Sequence, residues 1–400
     1  MASLFQGRRV DSPAAMRAEL IRSETALAAL VPEWEILAAD IAPWTPFITP
    51  SWNITHWRHF RRSRLMVRDV LHAYVVRDRG GRLVAIAPMM LTLHPGYGPI
   101  RLRELHYFGA DPNVTEIRGL ICRPEDERAA VSALAEALGR AHGSWDLLHW
   151  GGLRRDEKAC ADVMATTTLV AQRTIPDFYI ELPQTFEALR ARLPRNTKEA
   201  LRKCYNSLKR DGHVFAFDVI TRPEDVNAAL DVFFRLHTAR AEADYGVVHA
   251  DAFIEKTVQV FLRDYAVLSA GRGELRIFRL RIGDLVVAMR IGFCTGDELY
   301  FYYSGHLPDW GRYSVMTTTV AEALRWAIGA GVKHVNLSVG RDRSKLRWRP
   351  IELPFWEAFQ AAPTPRGRLM ARLFQRKIRD LPYWHPPAAA EAAAADDVAD

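Results

Sequence analysis

Apolar positions recur along the chain at two periods, and the switches between them mark the elements. Met16, Leu20, Leu27, Leu30, Trp34 and Leu37 fall at mixed helical spacings after Pro13, which predicts helix over 13–42. A second helix is expected over Trp52–Ser63. The run from His72 to Pro88 then reads as two strands around Asp78-Arg79-Gly80-Gly81, a hairpin signal. Strands at 101–109 and 116–122, an alanine-rich helix at 125–142 and a buried strand at Trp145–Trp150 follow. Beyond them the pattern predicts helices at 185–210, 223–243 and 250–269, a hairpin from Leu275 to Phe293, a strand at Leu299–Ser304, a helix at 314–330 and a strand at His334–Val339.

The order repeats. Gly81-Arg-Leu-Val-Ala aligns with Gly283-Asp-Leu-Val-Val, and in both halves a turn-centred hairpin leads to a strand, one long helix and a closing strand. Two copies of one α/β unit is the preferred reading, with two unrelated α/β domains as the alternative. The boundaries drawn are 1–180, 181–362 and a C-terminal piece, 363–400. That last piece opens on a helix with Leu369, Leu373, Met370, Phe374 and Ile378 on one face and a basic opposite face. A helix docked on the body is preferred to one lying on a membrane surface through 366–379. The Ala/Asp/Glu stretch after Pro387 is expected to be a disordered tail.

Composition narrows the classes. The 400 residues are 49% hydrophobic and 25% charged, which excludes a disordered chain. No window offers the roughly 18 apolar residues of a membrane span, and no signal peptide is read at the N-terminus. Cys122, Cys160, Cys204 and Cys294 are scattered, which fits a reducing cytoplasm and argues against a zinc cluster or disulfide framework. The net charge of +7 gathers at 190–210, 341–349 and 366–379, which suits an anionic donor or acceptor better than duplex DNA.

Phosphate loops, dinucleotide fingerprints, zincin motifs and serine elbows are all missing. His142-Gly-Ser-Trp-Asp146 fits an H-x-x-x-D pattern but sits at a helix end and strand start, so it reads as structural. His56 and His59 share a helix face without a third ligand nearby, and no metal site is assigned. The informative stretch runs from Leu299 to Thr319: a strand, a polar turn and a helix opening near Ser314. Free N–H groups at that helix start, with Gly311, Arg312 and Ser314, suit a pyrophosphate; an ordinary capped helix start is the alternative.

Phe234-Arg-Leu-His237-Thr-Ala-Arg240, Val287-Ala288, Gly292-Phe293, Leu299–Gly305, Pro308–Ser314, Glu322–Ile328 and Gly340–Trp348 together resemble the GNAT (N-acetyltransferase-like) superfamily. The likeness is to the bacterial group related to CelD and to FemAB-type transferases. It covers about 185–350, where Arg195–Arg202 resembles the basic helix that opens the domain. The first half, with Pro46-Phe47 and Pro50-x-Trp52, resembles a degenerate N-terminal copy. The resemblance implies an α/β fold of tandem GNAT-like units, each a mixed, mainly antiparallel sheet flanked by helices. It implies an acyl donor between Leu299–Ser304 and His334–Val339, with its phosphates at Trp310, Gly311, Arg312, Tyr313 and Ser314.

On this resemblance Asn196, Arg202, Arg240, Lys345 and Trp348 are the substrate-binding positions. Tyr303 is the expected acid, and His237 or Asp342 the expected base, because an attacking amine must be neutral. Two departures leave the donor open between acyl-CoA, another thioester and aminoacyl-tRNA. The acyl-CoA loop pattern Q/R-x-x-G-x-G/A is absent, and the group's G-D-E-x-Y-K variant reads Gly340-Arg-Asp-Arg-Ser-Lys345. The implied activity is N-acyl transfer from a CoA-like co-substrate, with no permanently bound cofactor, to an amine on a sugar, lipid or peptide precursor of an envelope or exopolysaccharide pathway. Aminoacyl transfer from tRNA and a catalytically silent scaffold in polysaccharide biosynthesis are the alternatives.

Overall fold

The computed structural model describes residues 16–97, 100–109, 114–154, 168–243 and 250–378. The expected tail after Pro387 and Cys160 lie outside these. In chain order the first half runs β1 (Arg17–Ile21), α1 (Glu24–Ala29), α2 (Val31–Ala39), α3 (Pro50–Phe60), β2 (Arg68–Leu71), β3 (Ala73–Arg77), β4 (Leu83–Ala87), β5 (Met89–Tyr97), β6 (Ile100–Tyr107), β7 (Ile121–Cys122), α4 (Glu127–Arg140), β8 (Leu147–Arg154) and β9 (Thr168–Glu181). The rest comprises α5 (Phe186–Arg192), α6 (Arg195–Arg210), β10 (Phe215–Ile220), α7 (Pro223–Glu242), α8 (Lys256–Gly271), β11 (Leu275–Ile282), β12 (Leu285–Thr295), β13 (Glu298–His306), α9 (Val315–Gly329), β14 (His334–Val339), α10 (Arg343–Leu346), β15 (Ile351–Ala361) and α11 (Pro365–Ile378).

Local chemistry explains several ends. Gly81 takes φ +80 in the first hairpin turn, where its N–H donates to the Asp78 carbonyl at 3.0 Å. Thr49 caps α3 by accepting the Trp52 N–H at 3.2 Å, ahead of Pro50 at the first turn. The single helix expected over 185–210 is two, because Pro194 forces Leu193 into extended backbone. The helix expected over 13–42 is corrected as well. Met16, Ala18 and Leu20 fit a period of two as readily as a helical one, and Arg17–Ile21 pairs antiparallel with β3. Of the strand expected over 116–122, only Ile121–Cys122 forms.

Eleven strands make one sheet in the order β10-β11-β12-β13-β14-β9-β15-β8-β6-β5-β2, and β1-β3-β4-β7 make a second. The architecture is mixed α/β, mainly antiparallel. Its two parallel contacts are β6 with β8 and β13 with β14, each spanned by a helix, α4 or α9. The halves exchange their closing strands. β9 pairs with β14, β15 pairs with β8, and β9 and β15 pair with each other along the whole of β15. At His72 and Pro88 the first hairpin bends, so that β3 and β4 leave the large sheet while β2 and β5 stay in it.

The parallel pairs differ at their open ends. Beyond His106 and His149, the end of β6 and the end of β8 are bridged by residues 115–119. A Cβ on Gly109 would lie 2.3 Å from the Thr115 Cβ, and one on Gly119 2.1 Å from the Gly151 carbonyl oxygen. This wedge leaves a cavity of only about 40 Å³. α11 docks as preferred, with Met370 buried and the Phe374 ring 4.6 Å from Phe359, although Leu369 is 45% exposed. Among the described residues no helix is long and apolar enough to cross a membrane.

Glu357 of β15 is buried at this junction. It meets Arg173 of β9 at 2.7 Å, Arg118 of the wedge at 3.6 Å and His149 of β8 at 3.8 Å. Burial pushes its carboxyl up, but nearby His149 and the two arginines outweigh burial and hold it at about 2. Such a depressed carboxyl contributes stability above its unfolded value of 4.5, lost as pH falls toward 2. Glu357→Gln leaves buried guanidinium charge uncompensated and is expected to cost about 3–5 kcal/mol at neutral pH. Urea unfolding at pH 7 and pH 3 checks this, since the deficit must shrink at the lower pH.

Candidate functional site

β13 and β14 pair only from Glu298–His334 to Tyr300–Asn336 and then part. Two local distortions accompany the parting. On β13 the register with β12 steps between Phe301 and Ser304, so Ile291 stands opposite both Tyr302 and Tyr303. On β14 the register with β9 breaks after Asn336, where Ser338 takes φ +72 and Gly340 φ +91. A left-handed serine persists only where its surroundings hold it. The gap is a cleft of about 950 Å³, floored by Phe301, Ser304 and His306 on one side and Leu337 on the other. The first turns of α9 and residues 340–348 close its walls.

The cleft is cationic. Among the described residues Arg240, Arg290, Arg341, Arg343, Lys345 and Arg347 line it, against the carboxylate of Asp342. Arg347 donates to the Thr317 hydroxyl at 2.9 Å, tying the wall to the first turn of α9. Arg290 lies over the Phe301 ring at 4.7 Å, and burial lowers it to about 10, still charged at neutral pH. Lys345 Nζ donates to the carbonyls of Val339, Ser338 (3.3 Å) and Gly340 (3.1 Å), pinning the parted end of β14. Asp342 caps α10 by accepting the N–H groups of Ser344 and Lys345 at 2.8 and 3.2 Å. Burial raises its carboxyl, but the Ser344 hydroxyl and Lys345 outweigh that and hold it below the usual carboxylate range.

Of the residues singled out in the sequence, Gly311, Arg240, Asp342, Lys345 and Trp348 meet in this cleft. Tyr303 and His237 do not line it. The bulge turns Tyr303 to the α7 side, 4.9 Å from the Phe253 ring and 5.5 Å from that of His237, and burial raises its phenol. His237 is 3% exposed, with Nδ1 3.0 Å from the Ser304 carbonyl and Nε2 3.7 Å from Asp251. α7 reaches β13 this closely because residue 305 is glycine: a Cβ there would lie 2.5 Å from the His237 nitrogen.

Arg312 and Tyr313 line a second groove of about 550 Å³ with Arg202, Lys203 and Arg210 of α6. The Arg312 guanidinium stacks on Tyr313, whose hydroxyl donates to Asp211 at 3.0 Å, and Trp310 packs against Tyr313. Ser314 takes φ +53 at the start of α9, and its carbonyl accepts the N–H of Thr317 at 2.8 Å. Asn196 is exposed at the start of α6, where it accepts the Thr197 N–H. Among the rejected candidates, burial drives His56 down to about 3, so it is neutral, and Asp146 pairs with Arg103 and Arg366 as a structural group.

One group was not legible in the sequence. Glu116, from the wedge of the first half, reaches the point where β13 and β14 part. Tyr300 donates to its Oε2 at 2.6 Å and the Ser338 hydroxyl to its Oε1 at 3.3 Å. Lys345 Nζ lies 3.3 Å from the same Ser338 hydroxyl. Behind them Asn336 donates to Asp177 of β9 at 2.7 Å. Burial pushes the Glu116 carboxyl up to about 7.

That shift has a stability consequence. Between its unfolded value of 4.5 and about 7 the folded chain keeps a proton that the unfolded chain has released, so Glu116 makes stability fall as pH rises through that window. Glu116→Gln is expected to remove this fall and to melt above the parent at pH 8. Thermal melts of both proteins from pH 5 to 8 check it, and parallel curves would refute the assignment.

Residues 195–346 match the family model described as an acetyltransferase (GNAT) domain. No curated protein matches the sequence. Among solved structures the chain is similar to FemX, at 10% identity over 84% of this chain and 96% of that one, with a TM-score of 0.56. It also matches the C-terminal domain of a lysylphosphatidylglycerol synthetase from Agrobacterium fabrum, described there as putative, at 13% identity over 88% and 96% (TM-score 0.49). A tandem GNAT protein from the clavulanic acid biosynthesis pathway matches at 13% identity over 88% and 99% (TM-score 0.43). The C-terminal half of this chain carries a GNAT acetyltransferase domain, within an overall fold like that of FemX.

Proposed function

We propose that the chain is an N-acyltransferase that takes its acyl group from a CoA-like thioester and gives it to an amine on a sugar, lipid or peptide precursor. The observation that carries this is the cationic cleft opened by the parting of β13 and β14. Six cations and the start of α9 suit a polyphosphate, and the parted strands suit the narrow arm that would carry the thioester. Beyond Tyr300 the β14-facing edge of β13 pairs with no strand among the described residues, and N–H groups there suit a developing oxyanion. The first half, residues 1–180, is read as a degenerate unit that buttresses the site in 181–362.

A second reading has its own observation. The groove beside the cleft, with Arg202, Lys203, Arg210 and Arg312, extends the positive surface past Gly311 and suits a longer polyanion such as an aminoacyl-tRNA end. Contact of α11 with a membrane surface is a further proposal, resting on its exposed basic side.

Calorimetric titration with acetyl-CoA is expected to give one site per chain. Arg343→Ala, which removes an exposed cation of the wall, should weaken binding by about tenfold or more, from the ~1.5–3 kcal/mol of a charged hydrogen bond. No heat up to millimolar donor would defeat the thioester reading, and RNase-sensitive RNA travelling with the protein would favour the second.

A further inference from the structure

We propose that Glu116, supplied by the first half of the chain, is the proton acceptor for the amine that reacts in the second half's cleft. This rests on the acyl-transfer reading. The geometry is a carboxylate from one half bonded to both strands of the other at the point where they part to open the cleft, near the cleft-lining Lys345. Tyr300 of β13 and Ser338 of β14 each donate to it, so it marks the place where the two strands part. A donor whose phosphates lie toward Gly311 and α9 presents its reactive end toward the point where β13 and β14 part.

The titratable groups that line the cleft itself are poorly placed. Asp342 is occupied capping α10, and Lys345 spends its ammonium hydrogens on main-chain carbonyls. His306 lines the cleft six residues beyond Tyr300 on β13, roughly 20 Å along an extended strand. The charged and titratable groups facing Glu116 are Tyr300, Lys345 and Asp177, with Arg290, Tyr302 and Tyr303 further out. Lysine and arginine favour its ionised form, while burial and Asp177 oppose it. The balance leaves a carboxyl that exchanges its proton near neutrality, as a general base for an ammonium requires.

The step balances. The acceptor ammonium gives one proton to the Glu116 carboxylate. The freed nitrogen lone pair forms the C–N bond to the thioester carbonyl, and the C–S bond breaks. The nitrogen gives up its second proton, which the departing thiolate takes, while Glu116 later returns the first to solvent. Overall an amine and a thioester become an amide and a thiol.

Two measurements on the full chain test this. The first is labelling with a carbodiimide and glycinamide at pH 6.5, followed by peptide mapping; Glu116 is expected to be labelled, since an amine reaches it. An unlabelled Glu116 overturns the proposal whatever the donor. The second is thiol release from acetyl-CoA with ethanolamine or hydroxylamine as acceptor, from pH 5.5 to 9. Glu116→Gln should lose about 10²–10⁴-fold with ethanolamine, together with the limb near pH 7. It should lose far less with hydroxylamine, which is already neutral, and Glu116→Asp should recover part of the rate. Equal losses with both amines, or turnover like the parent's with the same pH limb, overturn the role. A parent that labels at Glu116 yet releases no thiol defeats the thioester reading instead, and the two failures are thereby separated.

Discussion

The carboxylate of Glu357 holds together the pieces on which the site depends. It sits on β15, a strand the second half lends to the first, and it pairs with Arg173 on β9, the strand lent in return. Its second charged partner, Arg118, belongs to the wedge between β6 and β8. A charge so buried is costly unless every partner is in place, so one residue couples the exchanged strands to the wedge. Fixing the wedge at Arg118 fixes Glu116 two residues away. The geometry at the parting of β13 and β14 therefore depends on an ion-pair cluster in the other half.

The two halves show how one scaffold yields one open site. Each has a parallel strand pair spanned by a helix, and each pair parts after three residues. In the first half a chain segment fills the gap, allowed by glycine at 109, 119, 151 and 152, where any Cβ would collide. Cavities of about 40 and 950 Å³ are the outcome. Filling the first gap also carries a carboxylate to the second, so the closed half contributes a residue as well as support.

Much of this frame was legible in the residues. The hairpin turns at Gly81 and Gly283, the strand at Leu299–Ser304, the helix after it and the basic run at 341–349 stand where their patterns put them. The proton carriers were harder. A regular β13 would place Tyr303 opposite in facing to Tyr302, but the bulge puts both on the α7 side, and no local pattern marks a bulge there. β9 and β15 escaped notice because each carries a proline, Pro176 and Pro354, and because β15 buries Glu357 and Gln360, which read as surface residues. Glu116 was illegible for a different reason. Its environment is made by Tyr300 and Ser338, far along the chain, and nothing in its own neighbourhood signals burial.

The arrangement also resolves a tension in the charge distribution. A cleft rich in arginine and lysine favours anions, and taken alone it would hold any nearby carboxylate ionised and weakly basic. Asp342 shows that outcome: exposed to the wall cations and bonded to two backbone N–H groups, it stays low. Glu116 escapes it because burial at the strand junction, with Asp177 behind, outweighs Lys345 and the tyrosine and serine hydroxyls. Supplying the carboxylate from outside the cationic wall, on a segment locked by its own half, is what lets anion binding and proton acceptance coexist around one strand junction.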